Sequence, residues 1–269
     1  MNVRPLFAAA LLVPATGLLA QQAPPVTKDA PAPAAAPAAA LPSAQQIVDR
    51  YVAAVGGKAA LQRIRSYRAT GSLEMPTQGI KGDLELSAAR PNKLAMKITI
   101  PGMGEMVQGY DGTVGWSVNP MQGPRLLEGK ELAQMVEEAD FDNLFRGASS
   151  ITSRETIGRT ELGGQPCYQV KTVRRSGTEA VECYSVETGL LVGTSAKRET
   201  PMGQIESTTL VSDYKDFGGI RIPTRSRIQI PAMGAEQVLS FTNVEFDKVD
   251  AAAFARPAAV EALAKQAKP

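Results

Sequence analysis

The sequence predicts a mainly β (α+β) fold: a curved antiparallel sheet whose apolar concave face is covered by helices. Three observations predict it. Runs between residues 67 and 118 alternate apolar and polar side chains with period two. Connections of only a few residues join them, which pairs neighbours as hairpins and not crossovers. Gly71, Gly82, Gly109 and Gly115 sit inside or at the ends of those runs, where they relieve bends in a curved sheet.

The chain opens on Arg4 and an apolar run from Leu6 to Ala20, too short for a secure membrane span. Residues 1–20 read as a signal peptide cut after Ala20, so the remainder is expected to be exported. Residues 21–42 are rich in Ala and Pro and read as a disordered linker. Residues 43–257 are expected to form one half-barrel domain, and 258–269 a flexible or weakly helical tail.

Ser43 with Gln46 has the pattern of a capping box. Ile47, Tyr51 and Val55 then make one helical stripe, with Val48 and Val52 beside it, until Gly56-Gly57 stops it. A short turn over 59–64 directs Leu61 and Ile64 at the strands that follow. Those strands are expected at 67–75, 80–87, 93–100, 105–110 and 114–118. In the second, Ile80, Leu84 and Leu86 oppose Lys81, Asp83 and Glu85. In the third, Leu94, Met96, Ile98 and Ile100 alternate with Lys93, Ala95, Lys97 and Thr99.

A helical stretch is expected over 130–145, with Leu132 and Val136 on one side and Phe141, Leu144 and Phe145 following. Strands resume at 155–159, 167–174, 178–186, 190–199, 205–214, 220–230 and 236–246. Asp250 is placed to cap a short turn through Phe254.

Composition narrows the chemistry. A net charge of +2 gives no bulk attraction to nucleic acid or anionic membrane. The chain has no histidine, which removes Ser-His-Asp and Cys-His catalysis and the commonest metal ligand. No Walker loop, dinucleotide fingerprint or zinc spacing is present. Glu137, Glu138, Asp140 and Asp142 read as the solvated face and end of an amphipathic helix. Ser149 and Ser150 read as loop hydroxyls, with no base beside them. Neither an enzyme nor a cofactor is expected.

Cys167 and Cys183 flank a hairpin in an exported chain. With Ser176 at the middle of its loop, Cys183 faces Gln169 and lies diagonal to Cys167. A diagonal disulfide and two buried thiols both remain open.

Alternate turns of a meander share an end of the sheet. The turns at Met75-Pro76, Pro101-Gly102-Met103-Gly104 and Pro120-Met121-Gln122-Gly123 therefore fall together. Those at Arg90-Pro91-Asn92 and Asp111-Gly112 fall at the other end. In the second half, Pro201-Met202-Gly203 and Pro231-Ala232-Met233-Gly234 share an end. The helix between the halves leaves the relation of the two groups open. Methionines there suit an adaptable mouth to an apolar cavity, ordinary turns, or soft ligands for cuprous ion. Arg90 continues the apolar face of Leu84 and Leu86. Its guanidinium either latches onto carbonyls of a covering segment or snorkels to water.

The segments Gly82-Asp83-Leu84, Arg90-Pro91-Asn92-Lys93-Leu94, Asp111-Gly112, Trp116 and Asn119-Pro120 resemble the periplasmic outer-membrane lipoprotein carrier family. The run from Tyr184 to Gly193, Asp213-Tyr214 and Gly218 to Pro223 is similar to broader lipoprotein-sorting proteins. The resemblance implies an incomplete antiparallel barrel around a hydrophobic cavity that takes lipoprotein acyl chains. It matches Arg90 to the family arginine that holds a lid closed, and residues 130–145 to the lid.

On this reading Leu84, Leu86, Leu94, Met96, Ile98, Met103, Trp116 and Met121 contact an apolar ligand. The implied protein is a periplasmic carrier or chaperone of acyl chains or other lipid, touching membranes only transiently and nucleic acid not at all. An envelope sensor that binds a protein partner on the same scaffold is the alternative.

Overall fold

The computed structural model describes residues 40–146, 149–200 and 203–266, without the side chains of 144, 145 and 198–200. The expected signal peptide, all but the end of the expected linker, and Met202 lie outside the described residues. The unit from Ala40 onward is built on one 13-stranded antiparallel sheet.

Its first half is β1 (Ser66–Met75), β2 (Ile80–Ala89), β3 (Lys93–Ile100), β4 (Gly104–Tyr110), β5 (Gly115–Asn119) and β6 (Gly123–Leu126). Its second half begins with β7 (Ile151–Leu162), β8 (Gln165–Arg174), β9 (Glu179–Ser185) and β10 (Leu191–Thr200). It ends with β11 (Gly203–Phe217), β12 (Ile220–Ile230) and β13 (Ala235–Phe246). Strand order runs β6-β5-β4-β3-β2-β1-β13-β12-β11-β10-β9-β8-β7, so each half is a meander. The halves join where β1 pairs antiparallel with β13, Tyr67 opposite Phe246 and Glu74 opposite Val238. Strands β6 and β7 end the order unpaired with each other, which leaves the barrel open.

The β1–β13 ladder slips one residue after Thr70, and Gly71 meets it closely: a Cβ there would stand 1.8 Å from the Ser240 carbonyl oxygen. Only glycine tolerates that approach, and such a bulge adds twist and bends the sheet.

Two strands depart from the sequence reading. Strand β6 was not expected, because four residues that include Pro124 carry no alternation. Strand β7 is longer than the expected 155–159; as an edge strand it is largely exposed on both faces and has no apolar period to read.

Four α-helices accompany the sheet among the described residues: α1 (Ala44–Ala54), α2 (Lys58–Arg63), α3 (Gly129–Ala139) and α4 (Ala258–Gln266). The Ser43–Gln46 capping box is formed, with both reciprocal hydrogen bonds present. Ile47, Val48, Tyr51 and Val55 are buried in one core cluster with Val170, Tyr184, Leu191 and Ile220. Leu61, Ile64, Tyr67, Ala69 and Ala88 belong to the same cluster. Helix α1 therefore covers second-half strands, with Tyr51 edge-on to Tyr184 at 5.6 Å between ring centroids.

The expected continuous helix over 130–145 is broken. Asp140, at ψ 109°, leaves the helical region. Its side chain instead accepts from the Asp142 amide at 3.0 Å and starts a 3-10 turn over Phe141–Phe145. Beyond the sheet, α4 is anchored by the fully buried Val260, and Arg256 reaches Asp111 at 3.0 Å and Glu261 at 3.3 Å.

Cys167 and Cys183 form a disulfide with Cα atoms 5.5 Å apart. The register puts Gln169 opposite Cys183, which makes the bridge diagonal. It packs with Val192 and Leu162.

Candidate functional site

Residues paired across neighbouring strands share a face of the sheet. One such row is Leu86, Met96 and Gln108, and the next is Ser87, Ala95, Gly109 and Trp116. The first row faces a cavity of about 570 Å³. Leu73, Leu86, Leu94, Met96, Ile98 and Gln108 wall it from the first half of the sheet. Ile205, Ile228, Ile230 and Leu239 wall it from the second. Ala139 and Phe141, from the end of α3 and the turn after it, line it as well, and the space stays partly open to solvent.

The closing segment is tied to the β2–β3 turn. The Phe141 amide donates to the Pro91 carbonyl at 3.0 Å. Arg90 donates through Nε to the carbonyl of Ile64, just past α2, at 2.8 Å. Its Nη1 lies 2.7 Å from Asp142 Oδ1, and its guanidinium lies 4.8 Å from the centre of the Phe141 ring. One side chain thus touches the residue that follows α2, the carboxylate of Asp142 and an aromatic ring that lines the cavity. Arg90 is 21% exposed, so its carbonyl bond and ring contact sit in partly desolvated surroundings, where they count for more than in water.

A smaller polar compartment of about 250 Å³ adjoins the cavity; Glu138, Asn143, Arg146, Ser207 and Thr209 line both. Its centre is Glu182, 1% exposed, which accepts from Arg146 at 2.9 Å, Tyr184 at 2.8 Å and Thr172 at 3.2 Å. Burial alone would raise the Glu182 pKa; Arg146, the Tyr184 hydroxyl, Arg154 and Arg174 outweigh it and hold the carboxyl below its usual value. Burial raises the pKa of Tyr184, and the Glu182 charge raises it further. This compartment is a buried ionic network in which Arg146 Nε has no hydrogen-bond partner.

The structure brings Leu86, Leu94, Met96 and Ile98 together on the cavity wall with Phe141. Leu84 shares their face but is packed, at 2% exposure. Leu132 and Val136 pack with Leu94 against Tyr110, Leu127, Met135 and Ala139, beside the cavity and not in its wall. The side chains of Leu144 and Phe145 lie outside the described residues. Met103 and Met121 correct the reading: they stand at the rim, 48% and 86% exposed, and neither lines the cavity.

Trp116 corrects the sequence reading: register puts it on the opposite face from Met96, and it is 1% exposed. It packs on Gly109, where a Cβ would come within 2.7 Å of the indole. Glu137 is corrected too. It is buried, not solvated, and accepts from the Ser176 amide at 2.8 Å and the Ser176 hydroxyl at 2.7 Å. The second-half wall and the Arg146–Glu182 pair were not singled out from sequence. The alternation of Ile228 and Ile230 was a signal for the former, but only the β1–β13 pairing turns those residues toward Leu86.

No protein-family model matches the sequence, and no curated protein matches it. Solved structures do. A DUF1329 family protein from Desulfovibrio piger superposes with a TM-score of 0.55 at 13% identity, over 80% of this chain and 98% of that one. A LolA superfamily protein from Nitrosomonas europaea gives 0.55 at 12%, over 80% and 99%. An outer membrane lipoprotein-sorting protein domain from Vibrio parahaemolyticus gives 0.50 at 10%, over 76% and 92%. At such identities the likeness is one of fold: this chain, an open antiparallel sheet accompanied by helices, shares its architecture with these three structures.

Proposed function

We propose that this protein is an exported, non-enzymatic carrier or chaperone that holds lipoprotein acyl chains, or another apolar ligand, in the lidded cavity. One observation carries the reading. The concave face has an apolar space of about 570 Å³ walled by Leu86, Leu94, Met96, Ile98, Ile228 and Leu239, within the range of ligand-binding pockets. A core that served stability alone would be filled by its own side chains. Each methylene moved from water into that space contributes roughly 0.8 kcal/mol before the costs of immobilisation. The description of the Vibrio structure as a lipoprotein-sorting domain supports the same ligand class.

Release requires the closing turn to move. Arg90 is then the latch, because parting Phe141 from the cavity breaks its ring contact and its ion pair with Asp142 together.

Native mass spectrometry after mild extraction is expected to show co-purified lipid, and delipidated protein is expected to take up a fluorescent fatty acid. Ile98→Trp, which fills the space from its wall, is expected to abolish uptake and leave the fold intact. A clean apo mass together with no uptake by the parent protein overturns the reading.

A further inference from the structure

The pairing of β1 with β13 settles where the methionine turns lie. The start of β13 stands beside the end of β1, so the turns of both halves share one rim. Along the sheet the described ones follow in the order 119–123, 100–104, 75–79 and 230–234. Each of these four carries a proline, a glycine and a methionine: Met121, Met103, Met75 and Met233, four of the nine methionines in the chain.

None of the four carries a charged residue between its proline and its glycine; the β8–β9 turn, farther along the same rim, carries Arg175. The opposite rim is different in kind. Arg90, Asp111, Glu187, Asp216 and Lys248 stand at five of its connections, and the β7–β8 turn at Gly163-Gly164 is uncharged. Among the described residues five large apolar side chains are exposed, and three are rim methionines: Met121 at 86%, Met233 at 55% and Met103 at 48%. The tips are stiff. The 3-10 turns Pro76–Gln78 and Pro231–Met233 each end on a left-handed glycine, Gly79 at φ 64° and Gly234 at φ 57°.

Helices α1, α2 and α4 are tied to the other rim, while α3 meets the β8–β9 turn of this one through Glu137 and Ser176. Arg50 in α1 donates to the carbonyls of Val186 and Glu187, Arg90 holds the end of α2, and Arg256 before α4 reaches Asp111. The cavity wall, in contrast, runs up to the methionine turns through Ile98, Ile205 and Ile230. Neighbouring turns on one rim are two strands, or about 10 Å, apart. That is too wide for three thioethers to share one small ion, and wide enough for the row to meet a broad surface.

We propose that this rim is the face by which the protein touches a lipid bilayer. The proposal rests on the carrier reading for its purpose: an acyl chain leaving past the tips of β1–β4 and β12–β13 passes no charged tip, because Arg175, in the β8–β9 turn of the same rim, lies away from the cavity lining. Methionine is flexible and adapts to a fluid apolar surface. The tips lack the Tyr, Trp and Arg that anchor protein interfaces. They also lack the Trp, Tyr and Lys that hold proteins fast at membranes. The contact is therefore weak, reversible and insensitive to salt, as a shuttling carrier needs.

The test places an environment-sensitive fluorophore on Met121→Cys and, as control, on Lys248→Cys of the opposite rim, with the native disulfide kept oxidised. Phosphatidylcholine vesicles are expected to shift the Met121→Cys emission to the blue, equally at low and high salt, and to leave Lys248→Cys unchanged. Met103→Ser, Met121→Ser and Met233→Ser combined are expected to weaken vesicle binding about tenfold or more, with fatty-acid uptake unchanged. A silent Met121→Cys probe, an equal response at Lys248→Cys, or a response only to an envelope protein fraction overturns the proposal. A vesicle response without any fatty-acid uptake sinks the carrier reading and leaves the membrane contact standing.

Discussion

The concave face is finished in two ways. Beneath β8, β9 and β10 it is mostly filled: α1 lies on Tyr184, Val170 and Leu191, and the small space that remains is polar, around Glu182 with Arg146, Tyr184 and Thr172. Across β1, β2, β3, β12 and β13 it is walled with aliphatic side chains and left hollow. One curved sheet thus holds a stabilising region and a receiving region side by side. The difference teaches that a half-barrel can carry an empty apolar chamber because its rigidity is secured elsewhere. Substitutions should divide accordingly, costing stability in the filled region and ligand uptake in the hollow one.

The largest effect is expected at Glu182. Replacing it by Ala leaves Arg146 buried without its carboxylate, a loss of about 3–5 kcal/mol in urea unfolding. The pair also sets an acid dependence. The Glu182 pKa is lower in the folded protein than its ordinary 4.5, so its contribution is full above that pH and is lost as pH falls through the folded value. Glu182→Gln should flatten that part of the stability profile while fatty-acid uptake at neutral pH persists in whatever fraction stays folded. Equal losses of uptake and stability at every pH would erase the distinction between the regions.

A middling effect is expected at Arg90, which stands on the boundary. Arg90→Leu removes a charged hydrogen bond to the Ile64 carbonyl, worth about 2 kcal/mol, and an ion pair to Asp142 that adds little because Asp142 is half exposed. Hydrogen exchange is expected to quicken at residues 140–143 and to stay slow in α1. If exchange in both segments changes together, the closing turn is part of the filled region and not a separate gate.

Much of this division was legible in the chain, and its limits have physical causes. The alternation of Ile80 to Leu86 and of Leu94 to Ile100 identified the wall, because one-sided burial writes a period of two into the sequence. Arg90 stood out because its parity set a cation on an apolar face. Trp116 was misassigned because neither of its neighbours, Gly115 and Ser117, marks a face; only pairing with Gly109 does. Glu137 read as solvated because helical spacing cannot reveal a distant loop such as Ser176. The joining of β1 to β13 spans most of the chain, and no local pattern encodes so remote a pairing.

The smallest effect gives the finest test, since it compares two leucines on one strand and one face. Leu84 is packed at 2% exposure, and Leu84→Ala removes contacts on all sides, at a cost of about 3–5 kcal/mol. Leu86, two residues along, looks into the cavity. Part of its surface has no packing partner to lose, so Leu86→Ala is expected to cost only about 1 kcal/mol, nearer the transfer value of its remaining contacts. The ranking should reverse for ligand: Leu86→Ala enlarges the chamber and shifts chain-length preference toward longer fatty acids, whereas Leu84→Ala leaves that preference alone among the molecules that fold. Matching stability losses at the two positions would mean that the wall at Leu86 is packed like the one at Leu84, and the hollow region would have to be sought elsewhere on the face.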